Sequence, residues 1–172
     1  MKILLPLVIL ATLAGCDKAP ALLGGPGNVG SALDEQAITA GILPDPDNVE
    51  FAGRYETRGD LGTDKFCAVG KGGKRFQIGV LAVFGPESKC EGKGWATILD
   101  EKVQVSLESK DACRFTAQYD GVELRFPGNI EGGCSSYCSS RASLSGTHYF
   151  MIQLGDDNAR KSLGRDIERL CD

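Results

Sequence analysis

Between Cys113 and Phe126, apolar residues recur at every second position on both sides of an Asp120-Gly121 pair. Cys113, Phe115, Ala117 and Tyr119 alternate with Arg114, Thr116 and Gln118, and Val122, Leu124 and Phe126 follow the pair. Strict alternation marks a strand with one buried face, and Asp-Gly favours a two-residue hairpin loop. Such a loop pairs Tyr119 with Val122, Ala117 with Leu124 and Phe115 with Phe126, so that every inward residue meets an inward residue. The preceding run, Val103, Val105 and Leu107, is subject to the same test. A two-residue loop at Lys110-Asp111 sets Leu107 opposite Arg114, mixing core and solvent faces. A three-residue loop, Ser109 to Asp111, sets Leu107 opposite Cys113 and Val105 opposite Phe115. Because a slip of one residue inverts every side chain, the three-residue loop is expected.

The pattern extends in both directions. Phe76, Ile78, Val80, Ala82 and Phe84 alternate with Arg75, Gln77 and Gly79, but Leu81 and Val83 make the later half apolar on both faces. Around Trp95 the alternation is ambiguous: Trp95, Thr97 and Leu99 or Gly94, Ala96 and Ile98 can face inward. Further strands are expected near 50–57, 64–70, 90–99 and 141–152. Seven or eight short antiparallel strands predict a mainly β domain, a small meander barrel or a sandwich. Closure is favoured because it removes exposed edges. From Asp156 to Cys171, Ala159, Leu163, Ile167 and Leu170 share one helical face, which predicts a C-terminal helix stapled to the barrel by Cys171.

The chain opens MKILLPLVILATLAGCDK. Lys2 supplies a positive start, and Ile3 to Leu13 an apolar run of roughly 16 Å as a helix, about half a bilayer core. This is the pattern of a secretory signal. Leu13-Ala14-Gly15-Cys16 resembles the lipobox of bacterial lipoproteins, in which the cysteine thiol receives a diacylglyceryl group and becomes the first residue after cleavage. The resemblance implies a signal peptide over 1–15, lipidation at Cys16 and stable anchoring by several acyl chains. It implies a periplasm-facing location on the cell membrane, with Asp17 similar to an inner-membrane retention signal. Residues 16–48 read as a lipidated, flexible tether. Within it, Ser31 to Ala40 is compatible with one short helix, with Ser31 as N-cap and Gly41 after its end. Residues 49–172 then form the β-barrel domain.

Export places the domain where disulfides persist. Seven cysteines less Cys16 leave Cys67, Cys90, Cys113, Cys134, Cys138 and Cys171, an even set that three bridges require. Their pairing is left open by the sequence. A metal site at Cys134-x3-Cys138 is the weaker reading, since His148 is the only histidine in the chain.

Composition and motifs narrow the chemistry. The formal charge is −4, with both signs spread along the chain, so no basic cluster marks a nucleic-acid face. Gly25-x-Gly27-x-x-Gly30 copies a dinucleotide fingerprint, but no strand precedes it and Pro26 interrupts it. GKGGKR (Gly70 to Arg75) lacks the phosphate-loop spacing and reads as a hairpin turn. His148 has no nucleophile elbow near it, and Asp156-Asp157 fits a helix start better than a pair of glycosidase carboxylates. No cofactor or metal is implied.

One resemblance bears on function. FCAVGKGGKRFQIGV (Phe66 to Val80) resembles the Cys-x-x-Gly-Lys segment of the membrane-bound inhibitors of c-type lysozyme, and SLSGTHYF (Ser143 to Phe150) is similar to their Ser-Gly-x-x-Tyr segment. The resemblance implies a lipidated eight-stranded barrel and maps the lysozyme-contacting serine onto Ser145. Where that family carries a lysine before Gly-Asp, this chain has Leu154 before Gly155-Asp156, and the expected cation is missing. The leading expectation is therefore a non-catalytic, lipid-anchored envelope module, a monomer that binds an envelope protein or ligand. Inhibition of lysozyme is the alternative, and a small hydrolase using His148 the second. A binding site is sought at the barrel mouth and its loops, around Trp95, Arg141, Ser145, His148 and Tyr149.

Overall fold

The structure, a computed structural model, describes residues 32–40, 50–108, 113–130 and 133–172. The expected signal over residues 1–15, Cys16, Ser31, Gly41 and residues 109–111 lie outside the described residues, as do all residues of the expected tether (16–48) except 32–40. Ala32–Thr39 forms the helix α1. From Gly53 onward the period-two segments become eight antiparallel strands: β1 (Gly53–Gly59), β2 (Gly62–Gly70), β3 (Arg75–Val83), β4 (Lys89–Leu99), β5 (Lys102–Leu107), β6 (Cys113–Tyr119), β7 (Glu123–Arg125) and β8 (His148–Leu154). Each pairs with its neighbour in sequence, and β8 returns to β1, closing a meander barrel. The barrel expected from the alternation is the fold observed.

Eight strands enclose a space just wide enough for side chains to fill. Here aromatic residues fill it. Phe51, Tyr55, Phe66, Tyr119 and Tyr149 are buried, and Phe115 and Phe126 meet at 4.6 Å between ring centres. Buried phenols need partners. Tyr55 donates to the Phe51 carbonyl at 2.8 Å, and the Tyr119 hydroxyl reaches the carbonyls of Glu50 and Gly121 at 3.0 and 2.8 Å. Burial pushes the Tyr55 and Tyr149 phenols well above the usual range.

The three disulfides use all six cysteines, and neither Cys134 nor Cys138 is held for a metal. Cys90–Cys138 and Cys113–Cys134 tie the long β7–β8 connection to the inner faces of β4 and β6. That connection carries a 3-10 turn, Gly133–Tyr137, and buries Cys134 and Leu144, so it closes the lower end of the barrel. Cys67–Cys171 fastens the C-terminal segment to the outside. Cys67, Val69, Leu81, Val83, Ala159, Leu170 and Cys171 form a second buried cluster there, which accounts for the doubly apolar half of β3. The chain lies so close that a Cβ on Gly79 would stand 2.3 Å from the Leu170 carbonyl oxygen.

Three expectations are corrected. The Asp120-Gly121 hairpin is wider than two residues: Tyr119 pairs with Leu124 and Gln118 with Arg125. Asp120 Oδ1 accepts the N–H groups of Val122 at 3.0 Å and Glu123 at 2.7 Å, an Asx-type turn that extends the loop by two residues. The even shift leaves Leu124 and Phe126 inward but puts Val122 outside, 56% exposed. Second, the last strand starts at His148, and residues 141–147 are turn and loop. Third, the C-terminal helix is the single turn α2 (Asp156–Ala159). Beyond it the Glu91 carboxylate accepts the N–H groups of Arg165, Asp166 and Ile167 at 2.7, 2.9 and 3.2 Å. Those donors are taken by a side chain of β4, and the segment folds back with Leu170 N–H on the Ser162 carbonyl at 2.9 Å. Leu163, placed on the buried face by helical spacing, is 52% exposed.

Candidate functional site

The five residues singled out from sequence do not meet. Trp95 is on β4 and His148 and Tyr149 on β8, four strands apart around an eight-stranded barrel and so on opposite walls. Tyr149 points inward and is fully buried, its hydroxyl donating to Thr147 Oγ1 at 3.2 Å. His148 points outward against Phe150 at 5.5 Å between rings. No hydroxyl or carboxylate hydrogen-bonds to its imidazole among the described residues. Ser145 Oγ accepts the Ile130 N–H at 3.0 Å, which braces the lower loop. Arg141 is exposed, with a left-handed backbone (φ 70°). Leu154 ends β8 at the upper rim, so it is separated from Ser145 by the length of that strand, roughly 20 Å.

Trp95 leads to a site that the other four do not share. The ambiguous alternation on β4 resolves with Gly94, Ala96 and Ile98 inward, which puts Trp95 and Thr97 outside. The pairing then sets outward side chains in two rows. One runs Gln77, Trp95, Ser106, Arg114 across β3 to β6, and the next runs Arg75, Thr97, Gln104, Thr116. A depression of about 510 Å³ lies over β4, β5 and β6 and is lined by residues of both rows together with Val105 and Phe115. Trp95 is held at both handles. Its indole N–H donates to Glu108 Oε1, and the Arg75 guanidinium carbon sits 4.1 Å above the ring centre. Neither Arg75 nor Arg114 has an ion-pair partner among the described residues. Sequence reasoning singled out Trp95 but not its neighbours; the signal for them was strand pairing, which sets Ser106 and Arg114 in register with it.

A second, more apolar hollow of about 320 Å³ opens at the upper mouth between Phe51, Phe76 and Leu154. Among the described residues no three His, Cys, Asp or Glu side chains are grouped to hold a metal, and no helix is long and apolar enough to cross a membrane. Compared with known proteins, the chain matches no family model, no curated protein and no solved structure.

Proposed function

We propose that this protein is a lipid-anchored module of the bacterial envelope that binds its ligand without chemistry, on the outer wall of β4 to β6. The observation that carries the reading is the contrast between the barrel's surfaces. Its interior is packed with aromatic rings, its lower end is closed by a disulfide-tied loop, and its β2–β3 wall is covered by the C-terminal segment. The β4–β6 wall keeps an open depression lined by five polar residues beside a fixed tryptophan. Lipidation at Cys16 would tie the barrel to the membrane through the roughly 30 residues that lie between that cysteine and the first strand.

Two experiments test the two halves. Radiolabelled palmitate is expected to enter the wild type and not Cys16→Ala; equal labelling overturns the anchor. Capture from the native envelope by the tethered protein is expected to fall when Arg114→Glu is introduced, and unchanged capture removes this wall from the reading. Inhibition of c-type lysozyme is the second reading, favoured by the eight-stranded barrel alone. If micromolar protein slows lysozyme and Ser145→Ala weakens the effect, that reading replaces the first.

A further inference from the structure

Resting on the reading of the β4–β6 wall as the binding face, we infer that its ligand is an acidic glycan, an oligosaccharide carrying carboxylates along its length. Arg75 and Arg114 flank the depression on β3 and β6, about 14 Å apart across the strands at the ordinary strand spacing. The two rows between them contain no acid. Glu108 lies beyond the lower row, where the Trp95 indole N–H occupies one of its oxygens. Stacking on Trp95 fixes the Arg75 guanidinium without neutralising it and without using its N–H donors. A guanidinium held this way is ready for a bidentate carboxylate contact at small entropic cost.

Between the two cations the wall offers hydroxyls and an amide: Thr97, Gln104, Ser106 and Thr116. These match a chain of sugar hydroxyls. A peptide would look for apolar anchor pockets, and here the one outward aromatic face is already covered by Arg75. The geometry gives each arginine a carboxylate to hold and makes Trp95 a positioning residue that acts through Arg75.

The test uses the full chain in detergent with linear oligogalacturonate, against a neutral oligosaccharide of similar length and poly-glutamate. Oligogalacturonate is expected to bind, more weakly as salt rises, and to lose about tenfold or more in affinity in Arg75→Gln and in Arg114→Gln. Trp95→Leu is expected to weaken binding likewise, whereas Trp95→Phe, which keeps a ring under Arg75, retains most of it. Neutral sugar bound equally well, or poly-glutamate bound as tightly as the uronate, overturns the inference, as does the absence of uronate binding. If envelope capture still depends on Arg114 while uronate does not bind, the wall stands and the ligand class falls. If capture is also indifferent to Arg114, both fall.

Discussion

Asp120 and Asp64 show how single carboxylates are used differently in one barrel. Burial pushes Asp120 up, but the N–H groups of Glu123 and Val122 and the charge of Arg125 outweigh it and hold its carboxyl below the usual range. Its contribution is present above the ordinary carboxylate range and is lost as pH falls through its native value. Asp120→Ala is therefore expected to lower stability by about 1 kcal/mol at neutral pH, the difference shrinking in acid, as read by urea denaturation at a series of pH values. Asp64 is the opposite case. It points toward the interior, and burial raises it despite the 2.7 Å bond it accepts from the Val83 N–H. The folded state then binds a proton more tightly than the unfolded chain, so this group favours the fold most in acid, and that contribution is lost as pH rises through its native value. Asp64→Asn keeps an acceptor for Val83 and removes the charge; its melting temperature is expected to gain on the wild type between about pH 4 and pH 7. Gly94 makes the steric point: an added Cβ would lie 2.1 Å from the Ser106 carbonyl oxygen. Gly94→Ala is expected to cost about 2 kcal/mol in chemical denaturation by forcing β4 from β5.

Among the elements, the C-terminal segment departs most from its helical pattern. Its apolar spacing over Ala159, Leu163, Ile167 and Leu170 was real, and three of those residues do pack against β2 and β3. What helical periodicity could not contain is Glu91, some 75 residues earlier, whose carboxylate gathers three of the segment's N–H groups. Beyond α2 the segment has only turn bonds of its own, such as Gly164 N–H to the Ile167 carbonyl, and it is held to the barrel by Glu91 and the Cys67–Cys171 bridge, so it should detach as a unit. Replacing Cys67 and Cys171 with alanine removes a link across 104 residues. A loss of about 4 kcal/mol is expected, with fast hydrogen exchange over residues 160–172 while β4 to β6 stay protected. The β6–β7 turn misled in a related way: Asp-Gly names a turn, but its length was set by where Asp120 Oδ1 found its donors.

Taken whole, the barrel closes through β8 pairing with β1, and its upper end is filled by a residue just outside that first strand. Phe51 precedes β1 and touches Tyr55, Phe66, Phe76 and Tyr119, with centroids 5.0 to 5.8 Å away. A chain beginning at Glu50 is expected to melt as the full protein does, whereas one beginning at Gly53 should lose about 3 to 5 kcal/mol, the usual cost of an absent core phenylalanine. Equal melting of the two fragments would show that Phe51 does not seal the upper mouth.

Alternation and cysteine parity were enough to read a disulfide-braced meander of short strands, because side-chain period and chain connectivity are local properties. The Leu107–Cys113 register was legible for the same reason: only one loop length kept both faces consistent. The bridge pattern, the inward face of β4 and the partners of Trp95 were not legible, because each depends on strands brought together by closure. Gly94 and Trp95 are equally acceptable inward until β3 and β5 lie on either side of them, and only then does the indole stand outside between Gln77 and Ser106. Local chemistry selects the strand; the neighbours selected by folding decide what its outer face can bind.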